Sequence, residues 1–163
     1  MTNVKAAFEI LDKDVTAPVG YTKIRCHIIF DMKMDRTRTT RFATGGHHTD
    51  PPAKMIYASV VSRENIRIAL LVAALNELEL LAGDIGNTYL NAYTSEQIYY
   101  MAGLEWGPSM KGYVVVIIRA LYGLKSSANA WRQHCATTLH DKLCFNFSNV
   151  DNDVWYKADV KPN

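Results

Sequence analysis

Residues 112–120, Gly-Tyr-Val-Val-Val-Ile-Ile-Arg-Ala, place five β-branched side chains in a row. Such a run has no polar face to turn to water, so it predicts a strand buried on both faces within a layered fold. Other segments supply the layers. From Lys23 the pattern alternates, with Ile24, Cys26, Ile28 and Phe30 on one face and Lys23, Arg25 and His27 on the other. That period of two predicts a half-buried strand. DMKMDRTR is then a polar turn and TTRFATG a return strand, which makes a β-hairpin. EQIYYMAG predicts a further strand, and FNFS and DVWYKAD a closing pair.

Two helices are expected. The first opens at Ser62 as N-cap, carries Glu64 in its first turn, repeats Ile66, Ala69, Leu70, Ala73 and Ala74 at helical spacing, and ends near Leu78. The second follows the turn LYGLKSS and aligns Trp131, Cys135, Leu139 and Leu143 on one face. Between the helices, LELLAGD predicts a short strand in which Leu80, Ala82 and Asp84 share a face, leaving an acid at the end of an apolar strand. Taken alone, Asp84 reads first as a cap for the turn before Gly86 and Asn87. The expected class is α+β with mainly antiparallel pairing, residues 1–19 forming a lead-in and 20–163 a domain. No internal repeat or low-complexity tract is present.

With 163 residues and 18.4 kDa, the chain suits one domain or one sizeable piece of a larger one. Hydrophobic residues at 48% and charged residues at 21% exclude a disordered chain. IALLVAAL and YVVVII fall far short of the roughly 20 residues that span a bilayer, so no membrane partner is expected. The acidic start MTNVKAAFEILDKDV does not read as a secretory leader. Cys26, Cys135 and Cys144 form no C-x-x-C pair, which points to a reducing compartment. Charge is uneven. Residues 20–42 hold Lys23, Arg25, Lys33, Arg36, Arg38 and Arg41 against Asp31 and Asp35, a local +4 that leaves the rest at −2 of the overall +2. Such a segment suits phosphates, and equally a solvated hairpin.

Several chemistries lack their residues. Cys135, His140 and Cys144 resemble zinc spacing but offer three ligands where a structural site needs four, and Cys135 lies on an apolar face, so buried free thiols are expected. His47 and His48 with Asp50 point apart as neighbours in an extended segment. No G-x-S-x-G elbow, G-x-G-x-x-G loop or P-loop occurs. What remains is the basic hairpin, the isolated Asp84 and the Gly-Leu-Lys turn that opens a helix.

The order of these features carries a resemblance. GDIGNTYLNA (83–92) is similar to motif A, and RALYGLKSSANAW (119–131) to the motif B region, of Ty1/copia-type retrotransposon reverse transcriptases. TRFATGGHHTDPP, YASVVSRENIRIALLVAALNELELLAGDI and VDNDVWYK resemble the family's other segments, so the likeness runs in order from about Gly20 to Lys157. The resemblance implies a fingers hairpin at about 20–46 and palm motifs at about 60–145. It implies an RNA-directed DNA polymerase in which two Mg²⁺ ions assist in-line nucleotidyl transfer, an ion pair that needs hard carboxylate oxygens. It implies that Asp84 is catalytic and bridges both ions, with the Ile85 carbonyl on the nucleotide-side ion. Tyr89 would pack under the sugar and exclude a 2′-OH, Arg41 would pair with the triphosphate, and Gly123 and Lys125 would approach nucleotide and template. Implied partners are an RNA/DNA template-primer, a deoxynucleoside triphosphate and the rest of a Pol polyprotein, in a cytoplasmic virus-like particle or the nucleus.

Departures from the pattern qualify this. Thr39 stands where lysine is frequent, with Arg38 adjacent; Ala128 replaces a proline of motif B; Gly86 precedes Asn87. The family's Tyr-x-Asp-Asp motif does not occur, and Asp151, Asp153 and Asp159 lie in the wrong context to replace it. The expectation is a truncated fragment of fingers and first half of palm, without a full Mg²⁺ site and inactive alone. Two rival readings are a nucleic-acid-binding module using the basic hairpin, and an interaction protein whose half-palm a partner completes.

Overall fold

A computed structural model describes residues 7–46 and 58–157. It shows an α+β chain in which antiparallel pairing predominates. The chain divides into two compact units, Met1–Ile56 with Asn87–Trp131, and Tyr57–Gly86 with Arg132–Asn163.

The first unit is built around the β-branched run. Strands β1 (Phe8–Ile10), β2 (Thr22–Lys23), β3 (Cys26–Met32), β4 (Arg38–Thr44), β5 (Ile98–Met101) and β6 (Val114–Ile117) belong to it. A four-stranded sheet runs in the order β1-β6-β5-β2, with β6 antiparallel to both β1 and β5 and β2 parallel to β5. All four residues of β6 are buried, as their composition demands. Phe8, Ile98, Tyr100, Val115, Ile117 and Leu121 form the core. Phe8 meets Phe42 and Trp106 edge-on at 5.4 and 5.5 Å, and burying such a ring is worth about 1.5–3 kcal/mol.

Phe8 pairs with Ile117 and Ile10 with Val115, so part of residues 1–19 is an edge strand of the domain rather than a lead-in. The expected hairpin forms as β3 and β4, in register from Cys26–Thr44 to Met32–Arg38. Its turn closes through Lys33 N–H to Thr37 O at 3.0 Å, with Arg36 at φ 65°. Thr37 N–H donates to the Asp35 carboxylate, and this bond holds Asp35 below the ordinary carboxylate range. Ile24 is buried, Cys26 and Ile28 half-buried, and Phe30 exposed, so the apolar face is covered at the base of the ribbon and open at its tip.

The second unit carries α1 (Arg63–Leu75), the hairpin β7 (Asn146–Phe147) and β8 (Trp155–Tyr156), and most of α2 (Ser127–Thr137), which crosses the boundary. Ser62 caps α1 by accepting from Asn65 N–H at 3.1 Å. Asp151 accepts from the Asn65 amide group and from Ser62 N–H, and Arg132 Nε donates to Asp153 at 3.0 Å. These two acids thus have structural partners. The helix ends at Leu75 rather than near Leu78, where Glu77 takes a positive φ of 54°. Of its expected apolar stripe, Ala73 is buried while Ile66 and Leu70 are exposed.

The LELLAGD strand is not present: residues 78–85 are irregular, and Leu78, Leu80 and Leu81 are exposed. A strand needs a ladder partner for its backbone groups, and among the described residues this run has none. The segment 47–52, including His47, His48 and Asp50, lies outside the described residues, as does Asp159. No helix among the described residues is long and apolar enough to cross a membrane.

Candidate nucleotide-binding site

Strand alternation sets the first group. Phe42 turns toward the core of the first unit, so its neighbour Arg41 is exposed on the opposite face of β4. The end of β4 then meets the turn that follows β6. Thr44 donates to the Tyr122 carbonyl twice, from its N–H at 2.8 Å and from its hydroxyl at 3.1 Å. The contact requires bare backbone on both sides. Gly123 has φ +95°, and a Cβ there would collide with the Thr44 carbonyl oxygen. A Cβ at Gly46 would collide with the Gly123 carbonyl oxygen. Glycine is needed because the two backbones cross in van der Waals contact.

Tyr89 rides on a 3₁₀ turn, Thr88–Asn91, whose N-cap Asn87 is left-handed at φ 52°. That turn is fastened to the continuation of β6. Ala120 N–H donates to Ala92 O at 3.0 Å, Thr94 N–H to Ile118 O at 3.0 Å, and Arg119 Nη1 to Asn91 O at 3.2 Å. The Arg119 guanidinium also lies 3.7 Å from the Tyr93 ring centroid.

These elements enclose a pocket of about 110 Å³, whose walls include Arg41, Phe42, Asn87, Tyr89, Leu121 and Tyr122. The Tyr89 and Tyr122 rings meet edge-on, centroids 4.9 Å apart, a contact worth about 0.5–1.5 kcal/mol beyond its buried area. Arg41 Cζ stands 5.9 Å from the Tyr122 centroid. One cation, two amphipathic rings and the Asn87 amide thus line one cleft. It is smaller than the roughly 300–1,000 Å³ of a drug-sized ligand site. A sugar or phosphate fits such a volume and a whole nucleotide does not.

Of the residues singled out from the sequence, Arg41 and Tyr89 share this pocket, and Gly123 forms the crossing beside it. Lys125 is half-buried in the turn that opens α2 and does not line the pocket. Asp84 and Ile85 belong to the second unit and are exposed, in the irregular stretch where a strand end was expected. Tyr122 and Asn87 were not singled out. The signal available for Tyr122 was its place immediately before Gly123 in the L-Y-G-L-K motif.

The thiols do not build a metal site. Burial pushes the Cys26 thiol up to about 12, with Glu105 adding to the effect, and burial also raises Cys135. Cys144 is exposed, contrary to the buried thiol expected, because the chain leaves the helical path there at φ 57°. His140 pairs with the adjacent Asp141 at 2.7 Å. Asp84 and the Ile85 carbonyl supply two oxygen donors, whereas Mg²⁺ takes near-octahedral oxygen coordination. No group of three or more His, Cys, Asp or Glu able to hold an ion occurs among the described residues. The donors present do not fit a two-ion centre.

Comparisons of the chain with protein-family models, curated proteins and solved structures find no match.

Proposed function

We propose that this chain is the fingers and the nucleotide-facing part of the palm of a copia-type RNA-directed DNA polymerase, working inside the cell on an RNA or DNA template-primer with deoxynucleoside triphosphates. The observation that carries the reading is the pocket lined together by Arg41, from the hairpin, and Tyr89, from the motif A segment, each in contact with the Tyr122 ring. Those residues are distant in sequence, and the motif resemblance assigns two of them to one ligand. A guanidinium offers paired donors to phosphate oxygens, and an aromatic ring beneath a sugar leaves no room for an added hydroxyl. The donors of the described residues do not fit the two-ion Mg²⁺ centre that the resemblance implies, so the reading stands on nucleotide binding by this pocket alone.

The test is a titration of the full chain with dCTP, followed by tryptophan and tyrosine fluorescence. Arg41→Ala is expected to weaken binding at least tenfold, in line with a charge-assisted contact of about 1.5–3 kcal/mol. Equal affinity in wild type and Arg41→Ala would remove the basis of the reading.

A second reading is favoured by a separate observation. Toward the hairpin tip, Phe30 and Met32 are exposed on one face of β3, and Met32 pairs with Arg38, so apolar groups and a cation stand side by side in solvent. Single-stranded nucleic acid is bound by that combination without any catalysis.

A further inference from the structure

Tyr122 carries a ring that the fold itself does not require. Its carbonyl performs the docking to Thr44, whereas its side chain is 46% exposed and lies outside the buried core. The ring instead forms a wall of the pocket, 4.9 Å from the Tyr89 centroid at an interplanar angle of 65°, with the Arg41 guanidinium over it. Tyr89 is anchored through its backbone, in a turn fastened to residues 118–120, and that anchoring leaves its side-chain rotamer to be set by neighbours. Among the aromatic residues that line the pocket with it, Tyr122 meets the Tyr89 ring edge-on.

We propose that Tyr122 is a positioning residue for sugar selection: its ring braces Tyr89 edge-on, holding the Tyr89 ring flat against the place a nucleotide sugar occupies. The inference rests on the nucleotide-binding reading and assigns to Tyr122 a role separate from phosphate binding by Arg41. A rotated Tyr89 would still leave the triphosphate its cation but would open space beside C2′. Loss of the brace therefore moves the preference between deoxyribose and ribose more than it moves overall affinity.

The test compares dCTP and CTP affinities in wild type, Tyr122→Phe, Tyr122→Leu and Tyr122→Ala, each checked for melting temperature. Tyr122→Phe keeps the ring and should keep the dCTP preference. Tyr122→Leu, which refills the volume without a flat edge, and Tyr122→Ala should both lower the dCTP-to-CTP affinity ratio at least threefold. Any loss of dCTP affinity in them should be accompanied by a relative gain for CTP, so that the ratio and not the dCTP affinity is the deciding readout. An unchanged ratio in the Leu and Ala variants overturns the brace while leaving the nucleotide site intact. A parallel fall in both affinities also overturns it, since that is what a merely structural ring would give. If wild type binds neither nucleotide, or both equally, the underlying reading fails and the brace with it.

Discussion

Gly123 lies against the carbonyl oxygen of Thr44 so closely that a methyl group has no place between them. This contact joins the end of the basic hairpin to the turn after the central strand, and Tyr122 is carried into the pocket by it. Gly123→Ala adds a collision with backbone to a φ of +95°, together costing on the order of 2–4 kcal/mol. The melting temperature should fall by roughly 5–10 °C. Gly83→Ala, at a glycine with open space around it, should melt with wild type. Equal melting of the two variants would show that the crossing is not formed.

Acid should act on the second unit through Asp151. Its carboxyl is held below the usual range, first by the Asp153 N–H, then by the Asn65 side chain, with Ser62 N–H and Arg132 adding. A depressed folded-state value gives stability that is full above the unfolded value of about 3.9 and is lost as pH falls through the folded one. Asp151→Asn is therefore expected to be less stable than wild type at pH 7, with the gap closing below about pH 4. Urea melts at pH 7, 5 and 3 read this directly, and a gap independent of pH would contradict it.

The hairpin's cations should be visible in salt dependence. Arg36 and Arg38 are exposed at and beside the tip. If each neutralises one phosphate of single-stranded RNA, the double variant Arg36→Gln/Arg38→Gln should flatten the slope of log K against log salt by about 1.4. An unchanged slope would remove the hairpin from any nucleic-acid contact.

The parts of the fold legible in the sequence are those fixed by local pattern. The β-branched run at 113–118 read correctly because composition and burial agree there. The alternation from Lys23 to Phe30 located the hairpin strand, but Lys23 belongs to β2 in another sheet and β3 begins at Cys26. Burial follows the period only at Ile24, Cys26 and Ile28, with Phe30 exposed. The Ser62 cap was legible because its acceptor and donor are three residues apart. What escaped was tertiary. β1 is three residues long, and its strand character comes from its partner β6 rather than from Phe-Glu-Ile itself. LELLAGD has strand composition but no ladder partner among the described residues, so its apolar side chains stay exposed and Asp84 does not stand at a strand end.

In the candidate site, Arg41, Tyr89 and Gly123 were named from the family resemblance, and the structure sets Arg41 and Tyr89 in one pocket, whereas Tyr122 acquires its place through contacts to Thr44 and Tyr89 that span dozens of residues. Asp151, lacking any local signal, is tied to the start of α1 from the far end of its unit.

The central claim is that this pocket receives and inspects the sugar of a nucleotide whose remainder lies outside it, and Tyr89 tests it most directly. Calorimetric titration of wild type and Tyr89→Ala with dCTP and with CTP gives the four affinities required. Wild type should prefer dCTP at least tenfold, and Tyr89→Ala should bring the two within about threefold by admitting CTP. Equal binding of both nucleotides by wild type, or a preference that survives removal of the Tyr89 ring, would contradict the account.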